Sequence, residues 1–277
     1  MTNNNLKMFC LTLEPNHLSI IEQMNYIPVG LGEKNFPQNC FSDKSGNNIS
    51  KKNKYYGEYS FHYWLWKNYL GQINQNWIGF CQYRKFWALN FSPNNEINLE
   101  NLKKKVLKDI PEQFNEYDVI LGNPFFVNSQ KTMKFLKKGF PLIISNPQVL
   151  FNKKARNIKF HFDLMHGRNN LKKAIELLDD ENKKDFQHFV STEYSFNPHN
   201  MFICKSKNLL RRYYEDIFKW LSLCEDIFGF EKLKGYGMTR IYGFLAERFM
   251  SYWFKKNAKY VEIPILFYDI NNDLGQK

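Results

Sequence analysis

Residues 77–87 read Trp77-Ile-Gly-Phe-Cys-Gln-Tyr-Arg-Lys-Phe-Trp87. The first five are a short, unbroken apolar run, the pattern of a strand buried on both faces. Met8 to Leu13 is a second such run, closed by Glu14-Pro15-Asn16; Tyr117 to Leu121 is a third. Asn200 to Cys204 follows the Asn197-Pro198 turn, and Tyr26 to Gly30 and Tyr260 to Phe267 complete the set. Helical spacing falls between them. It covers His17 to Met24 with Asn16 as cap, an aromatic stretch Tyr55 to Tyr69, Leu99 to Ile110, and Leu171 to Leu178. Two longer aromatic helices follow, Leu209 to Phe228 and Tyr236 to Phe254. This alternation predicts an α/β fold with a mostly parallel central sheet flanked by helices. Such sheets bind ligands beyond the carboxyl ends of their strands. The loops after Leu13, Gly30, Cys81 and Cys204 are therefore the places to look for chemistry.

The chain has 277 residues, enough for one large domain, and 17% of them are aromatic. No apolar run reaches the roughly 18 residues needed to span a bilayer. Met8 to Leu13 is too short for a signal-peptide core, and a cytoplasmic protein is expected. The 5 cysteines are scattered without a Cys-x-x-Cys pair, which argues against a disulfide scaffold or a zinc knuckle. The net charge is +12. A polyanionic partner is one reading of it. The lysines are dispersed in twos and threes, however, and no nucleic-acid-binding motif accompanies them.

Phosphate-loop, dinucleotide, zincin and nucleophile-elbow signatures are absent. What remains is a set of weaker constellations. Tyr83-Arg84-Lys85 leaves the end of the strand at Trp77 to Cys81, where two cations flanked by rings could grip a diphosphate. The plainer reading is a strand end with solvated charges. Ser45 to Lys52 is a tight polar turn leading into a helix, either an anion site or a capped turn. Glu58, Tyr63 and Lys67 follow on that helix. His161, Asp163 and His166 form H-x-D-x-x-H, which matches no metal-ligand spacing and reads first as local structure. Asn197-Pro-His-Asn-Met201 is a bend that could meet sugar hydroxyls or simply cap itself. Arg240, Glu247 and Arg248 fall on one helix, as an ion-pair network or as a carboxylate held by arginines for a cleft.

In order along the chain stand Tyr26-Ile-Pro-Val-Gly-Leu-Gly32, Asp43, Gly46-Asn-Asn-Ile-Ser50, Asn53-x-Tyr-Tyr-Gly-Glu58 and Tyr63-Trp-Leu-Trp-Lys-Asn68. They continue with Trp77 to Trp87, Asn197-Pro-His-Asn-Met-Phe-Ile203 and Arg240-x-x-Gly-Phe-Leu-Ala-Glu-Arg248. The whole pattern resembles an uncharacterised-domain family of bacterial capsular and exopolysaccharide glycosyltransferases. The resemblance implies a single GT-A-like (Rossmann-like) domain with a helical C-terminal part. It implies a nucleotide-sugar-binding half over 1–122 and an acceptor-side half over 123–277. GT-A enzymes often hold a divalent metal on a D-x-D. Here that place reads Gln82-Tyr83-Arg84-Lys85, so protein cations are expected to replace the metal. No tightly bound cofactor is expected.

On this resemblance Thr12, Asp43 and Asn48 bind the nucleotide, and Tyr83, Arg84 and Lys85 meet the diphosphate. Lys67, Asn200, Arg240 and Arg248 complete the donor site, the Asn200-Met201 turn being similar to one that meets the donor sugar in glycogenin-like enzymes. Glu247, His199 and Asp163 are the candidate catalytic residues. The implied donor is a UDP-sugar, with galactose or galactofuranose as named candidates. The implied acceptor is an oligosaccharide or a polyprenyl-diphosphate-linked glycan at the inner membrane face. Trp253-Phe254 beside Lys255-Lys256 is a candidate membrane contact. The alternative is a non-catalytic glycan- or lipid-binding subunit of the same machinery.

Overall fold

A computed structural model describes residues 5–89, 98–129 and 147–274. The chain forms two compact units. The first is Met1–Asn123 with Met201–Tyr214 and Asn257–Lys277; the second is Pro124–Asn200 with Glu215–Lys256. The resemblance implies a single domain with consecutive halves meeting at residue 122. The units are nonetheless interleaved rather than consecutive, because 201–214 and 257–277 return to the first.

The described strands are β1 Leu6–Thr12, β2 Ile27–Gly30, β3 Phe41–Ser42, β4 Trp77–Gln82, β5 Lys85–Trp87, β6 Val119–Gly122, β7 Phe125–Phe126, β8 Ser195–Phe196, β9 Phe202–Cys204, β10 Tyr260–Ile263 and β11 Ile265–Phe267. In the first unit the main sheet runs β10-β6-β9-β4-β1-β2-β3. The β10–β6, β4–β1, β1–β2 and β2–β3 pairs are parallel, and β9 alone in this row runs antiparallel to both neighbours. The mostly parallel sheet expected from the apolar runs is present. Its middle is dry: Phe9, Cys10, Ile78, Phe80, Cys81, Ile120 and Ile203 are fully buried, with Cys10 and Cys81 in register. Burial of β1 from Met8 onward and of β4 through Cys81 on both faces is why these stretches read as continuous apolar runs.

Three local departures from the sequence reading have physical causes. The aromatic stretch is not one helix. It breaks at Gly57, whose φ of +59° ends the turn Asn53–Tyr56, then resumes as Tyr59–Trp64 and widens into a π-turn, Leu65–Tyr69. The wider turn brings residues five apart together, and Trp64 and Tyr69 stack with centroids 6.2 Å apart. The run after β4 is a hairpin, not a continuing segment: Gln82 pairs with Lys85 across a turn at Tyr83-Arg84. The final apolar run is two strands divided by Pro264. β10 is parallel to β6, and β11 is antiparallel to β5.

The second unit is helical, with one small hairpin of β7 and β8. Its helices include Ile158–His166, Asn170–Ile175, Asp180–Thr192 and Ile241–Asn257; Lys207–Phe228 starts in the first unit and continues into the second. Phe186 meets Trp220 and Phe249 edge-on at 5.8 and 5.5 Å, and the Trp220 indole donates to the Ala174 carbonyl at 2.7 Å. The helices at 158–166 and 180–192 lie outside those the apolar spacing predicts. Their caps mark them: Asn157 accepts from the Phe160 amide at 2.9 Å and Asp179 from the Asn182 amide at 3.0 Å. The polar loop read over 90–98 lies almost wholly outside the described residues, as do 130–146 of the irregular middle.

Candidate functional site

At the carboxyl end of β1 the chain turns through Glu14-Pro15-Asn16 and buries Thr12 and His17. The Thr12 hydroxyl lies 2.7 Å from His17 Nδ1 and accepts the Glu14 amide at 3.1 Å. His17 Nε2 lies 2.9 Å from Asn271 Oδ1. The Asn271 Nδ2 and backbone amide both donate to Asp269 Oδ1, which fixes the amide so that its oxygen faces His17. His17 therefore donates through Nε2 and accepts the threonine proton at Nδ1. Burial lowers its pKa, so the ring is neutral near pH 7.

The hairpin turn at the end of β4 joins this group. Tyr83 packs against the His17 ring at 4.9 Å, and Arg84 lies over Tyr83 at 4.8 Å. Arg84 Nε bonds Asp269 Oδ2 at 2.8 Å, while about half of the guanidinium side chain faces solvent. Lys85 donates to Gln82 Oε1 at 2.9 Å across the first ladder position of the hairpin. Thr12, Tyr83, Arg84 and Lys85 thus lie at the carboxyl ends of the neighbouring strands β1 and β4. His17, Asp269 and Asn271 join them without having been singled out in the sequence.

A second cluster of the same unit surrounds the turn after β3. Asp43 is fully buried and neither carboxylate oxygen has a hydrogen-bond partner. Burial pushes its pKa up. The turn beyond it is held from the aromatic helix. Asn68 Oδ1 accepts the Asn47 amide at 3.0 Å, Asn68 Nδ2 donates to the Asn47 carbonyl at 2.8 Å, and the Trp64 indole donates to Ser45 at 3.0 Å. Asn48 spends its side chain inside the turn, donating to Lys44 and Gly46 carbonyls and accepting from Ser50. Lys67 is exposed and lies 3.3 Å over the Trp66 ring. A cavity of about 450 Å³ opens beside Ser42, Lys44 and Ser45, walled by Phe36, Phe41 and Trp64.

In the second unit Glu247 and Arg248 occupy the helix Ile241–Asn257. One Glu247 oxygen accepts the His199 amide and the other the Arg248 guanidinium. Arg248 is buried; its Nη2 lies 3.3 Å from His161 Nδ1 and it stacks 4.2 Å above Phe196. Burial and that cation push the His161 pKa down to about 3. His199 and Asn200 both have left-handed backbones, φ +78° and +54°. Asn200 is buried; its Nδ2 donates to the Gly243 carbonyl at 3.3 Å while Oδ1 has no partner. Asp163 accepts Lys159 Nζ at 2.6 Å on one oxygen and the Asn169 amide at 3.0 Å on the other. Its carboxylate staples the helix Ile158–His166 to the turn after it. Arg240 does not share the helix of Glu247: it stands at the break between Tyr236–Thr239 and Ile241–Asn257, 5.8 Å over the Tyr236 ring.

The aromatic-basic segment proposed to touch lipid is mostly interior. Trp253 and Phe254 are buried, the Trp253 indole donates to Asp216 at 2.6 Å, and Lys256 is paired with Glu181 and Asp185. No helix among the described residues is long and apolar enough to cross a membrane. The turn residues of the β4 hairpin, Tyr83 and Arg84, and Lys85 after them carry no carboxylate, and an arginine and a lysine do not ligate a divalent cation.

Among solved structures, the WbbM bifunctional glycosyltransferase in its apo form is similar in fold, with a TM-score of 0.69 at 19% identity. The likeness covers 95% of this chain and 45% of that one, so this chain spans less than half of its length. Core-mannan synthase A (CmsA/Ktr4) from Aspergillus fumigatus, in its Mn/GDP form, is far less similar, with a TM-score of 0.35, 11% identity, and coverage of 91% and 70%. The mannosyltransferase Ktr4p from S. cerevisiae stands alike at 0.34 and 10%, covering 91% and 65%. No curated protein sequence matches the chain significantly. The α/β sheet and its order make the fold GT-A-like, and over residues 10–258 the chain belongs to the family described as Domain of unknown function (DUF4422).

Proposed function

We propose that the chain is a glycosyltransferase that uses a nucleotide-diphosphate sugar. The observation that carries this reading is the half-exposed Arg84 guanidinium at the carboxyl end of β4, beside Thr12, Tyr83 and Lys85. Transfer breaks the bond between the anomeric carbon and the diphosphate oxygen and forms one to an acceptor hydroxyl oxygen. The leaving nucleoside diphosphate gains negative charge, and a preorganised cation stabilises it. The cavity beside Ser42 and Lys44 is of a size that suits a nucleoside. In this reading Asp43 and the turn to Asn48 hold the base and ribose. In the second unit, His199 and Asn200 face sugar or acceptor, with Glu247 fixing their turn.

The finer reading is a UDP-linked donor, galactose or galactofuranose, and a capsular or surface-polysaccharide acceptor, without a metal. It rests on the sequence resemblance and on the cations at the β4 hairpin. Attachment to an anionic inner-membrane face now rests on the +12 charge alone, since Trp253 and Phe254 are interior. Donor hydrolysis with UDP-, GDP- and dTDP-sugars, with and without EDTA, is the direct test. Activity should persist in EDTA and fall at least tenfold in Arg84→Ala; unchanged turnover in that variant removes the diphosphate role.

One observation favours the second reading, a non-catalytic glycan- or lipid-binding subunit. Both carboxylates named for catalysis, Glu247 and Asp163, have each oxygen engaged by the protein itself. Glycan binding with no hydrolysis of any donor would decide for that subunit.

A further inference from the structure

The geometry points to Asp269 as the positioning residue for Arg84, acting on an anion without touching it. This rests on the diphosphate reading above. Strand β11 runs antiparallel to β5, and beyond it the Tyr268 amide donates to the Arg84 carbonyl at 3.1 Å. That pairing sets Asp269 against the hairpin turn. Its Oδ1 is committed to Asn271, and its Oδ2 takes Arg84 Nε at 2.8 Å.

The consequence is chemical. A guanidinium offers five N–H groups in a planar fork. The contact at Nε engages one side of that fork, and with the side chain 52% accessible, N–H groups of the fork remain open to solvent and to an anion. Two parallel N–H groups match two oxygens of a phosphate. The Tyr83 ring under the guanidinium restricts the remaining swing. Asp269 is itself fixed, through Asn271 to buried His17 and Thr12 at the end of β1. The pair is too exposed to stabilise the fold much: the side chains are 52% and 31% accessible. Orientation is the job that its geometry fits.

Inorganic pyrophosphate is a probe that is independent of the base and the sugar. Calorimetric titration of the full chain should show Asp269→Ala and Asp269→Asn each weakening pyrophosphate about tenfold, with thermal midpoints within a few degrees of the parent. Arg84→Ala should weaken it at least as much. The double variant should be no worse than Arg84→Ala alone, because Asp269 acts through that side chain. A further loss in the double variant would overturn the positioning role, as would unchanged or tighter pyrophosphate binding in both Asp269 variants. Unchanged binding in Arg84→Ala would instead remove the diphosphate reading itself, whatever the Asp269 variants do.

Discussion

One oxygen of Glu247 accepts the backbone amide of His199, across the second unit, while the other accepts the buried Arg248 guanidinium. The first bond ties down a turn whose two residues are both left-handed, a conformation that costs non-glycine residues about 1–2 kcal/mol each. The second neutralises a cation that water does not reach. Removing the carboxylate leaves that cation buried and unpaired. Glu247→Ala should therefore lower unfolding free energy by about 3–5 kcal/mol in urea titrations. Glu247→Gln keeps an acceptor and should lose less. A Gln variant with an unshifted midpoint and abolished donor hydrolysis would assign Glu247 to the chemistry instead.

Acid should weaken the fold through two histidines that it keeps neutral. Burial pushes His62 down to about 3, and burial with the Arg248 charge does the same to His161. His62 Nδ1 lies 2.8 Å from the Tyr214 hydroxyl, and its Nε2 has no partner to receive a proton's charge. Between the unfolded value near 6.5 and about 3, the unfolded chain binds protons that the folded chain refuses. Stability is thus complete above 6.5 and falls with falling pH, by about 1.4 kcal/mol per pH unit for each histidine. Urea midpoints from pH 7 to 4.5 should show this slope. His62→Gln and His161→Gln should each flatten it; an unchanged slope in both would show that other groups carry the acid sensitivity.

How much of this was legible in the sequence follows from range. Trp77 to Cys81 announced a buried strand because both its faces are dry, so the apolar run is unbroken. The hairpin after it was hidden: Tyr83-Arg84 has no Gly, Asn or Pro to signal a turn, and the partner β11 lies far along the chain. Arg84 stood out as a strand-end cation, whereas Asp269 and Asn271 look like an ordinary C-terminal turn until the fold brings them to His17. Asp163 shows the converse. The resemblance makes it a candidate catalytic carboxylate, but a lysine one turn earlier and a backbone amide already engage both of its oxygens.

Asp43 should cost the protein stability for as long as it stays ionised. Its carboxylate is fully buried, and burial raises its pKa against the smaller opposing pull of Ser60 and Lys44. The sign is opposite to that of the histidines: stability from this group is gained as pH falls through its folded-state pKa. Asp43→Asn removes the ionisable group and, at a pH where the carboxylate is ionised, should raise unfolding free energy by about 1–2 kcal/mol. If the turn after β3 holds a nucleoside, the same variant should bind UDP several-fold more weakly. A stabilised variant with unchanged UDP affinity would make Asp43 a packing fault rather than a ligand group.

Thr12 is the residue on which the edge network closes, and an isosteric change tests it. Thr12→Val keeps the shape but removes the acceptor of the Glu14 amide and the donor to His17 Nδ1. A buried ring nitrogen is then left bare, a loss of about 1–3 kcal/mol. Thr12→Ser retains the hydroxyl and should stay within about 1 kcal/mol of the parent, the missing methyl accounting for the difference. Nitrogen-15 NMR of the imidazole should find the proton on Nε2 in the parent, as the Asn271 acceptor requires. In the Val variant amide exchange at Glu14 should quicken as its bond is lost. A proton on Nδ1 in the parent would reverse the chain from Thr12 to Asp269 and with it the orientation of Asn271.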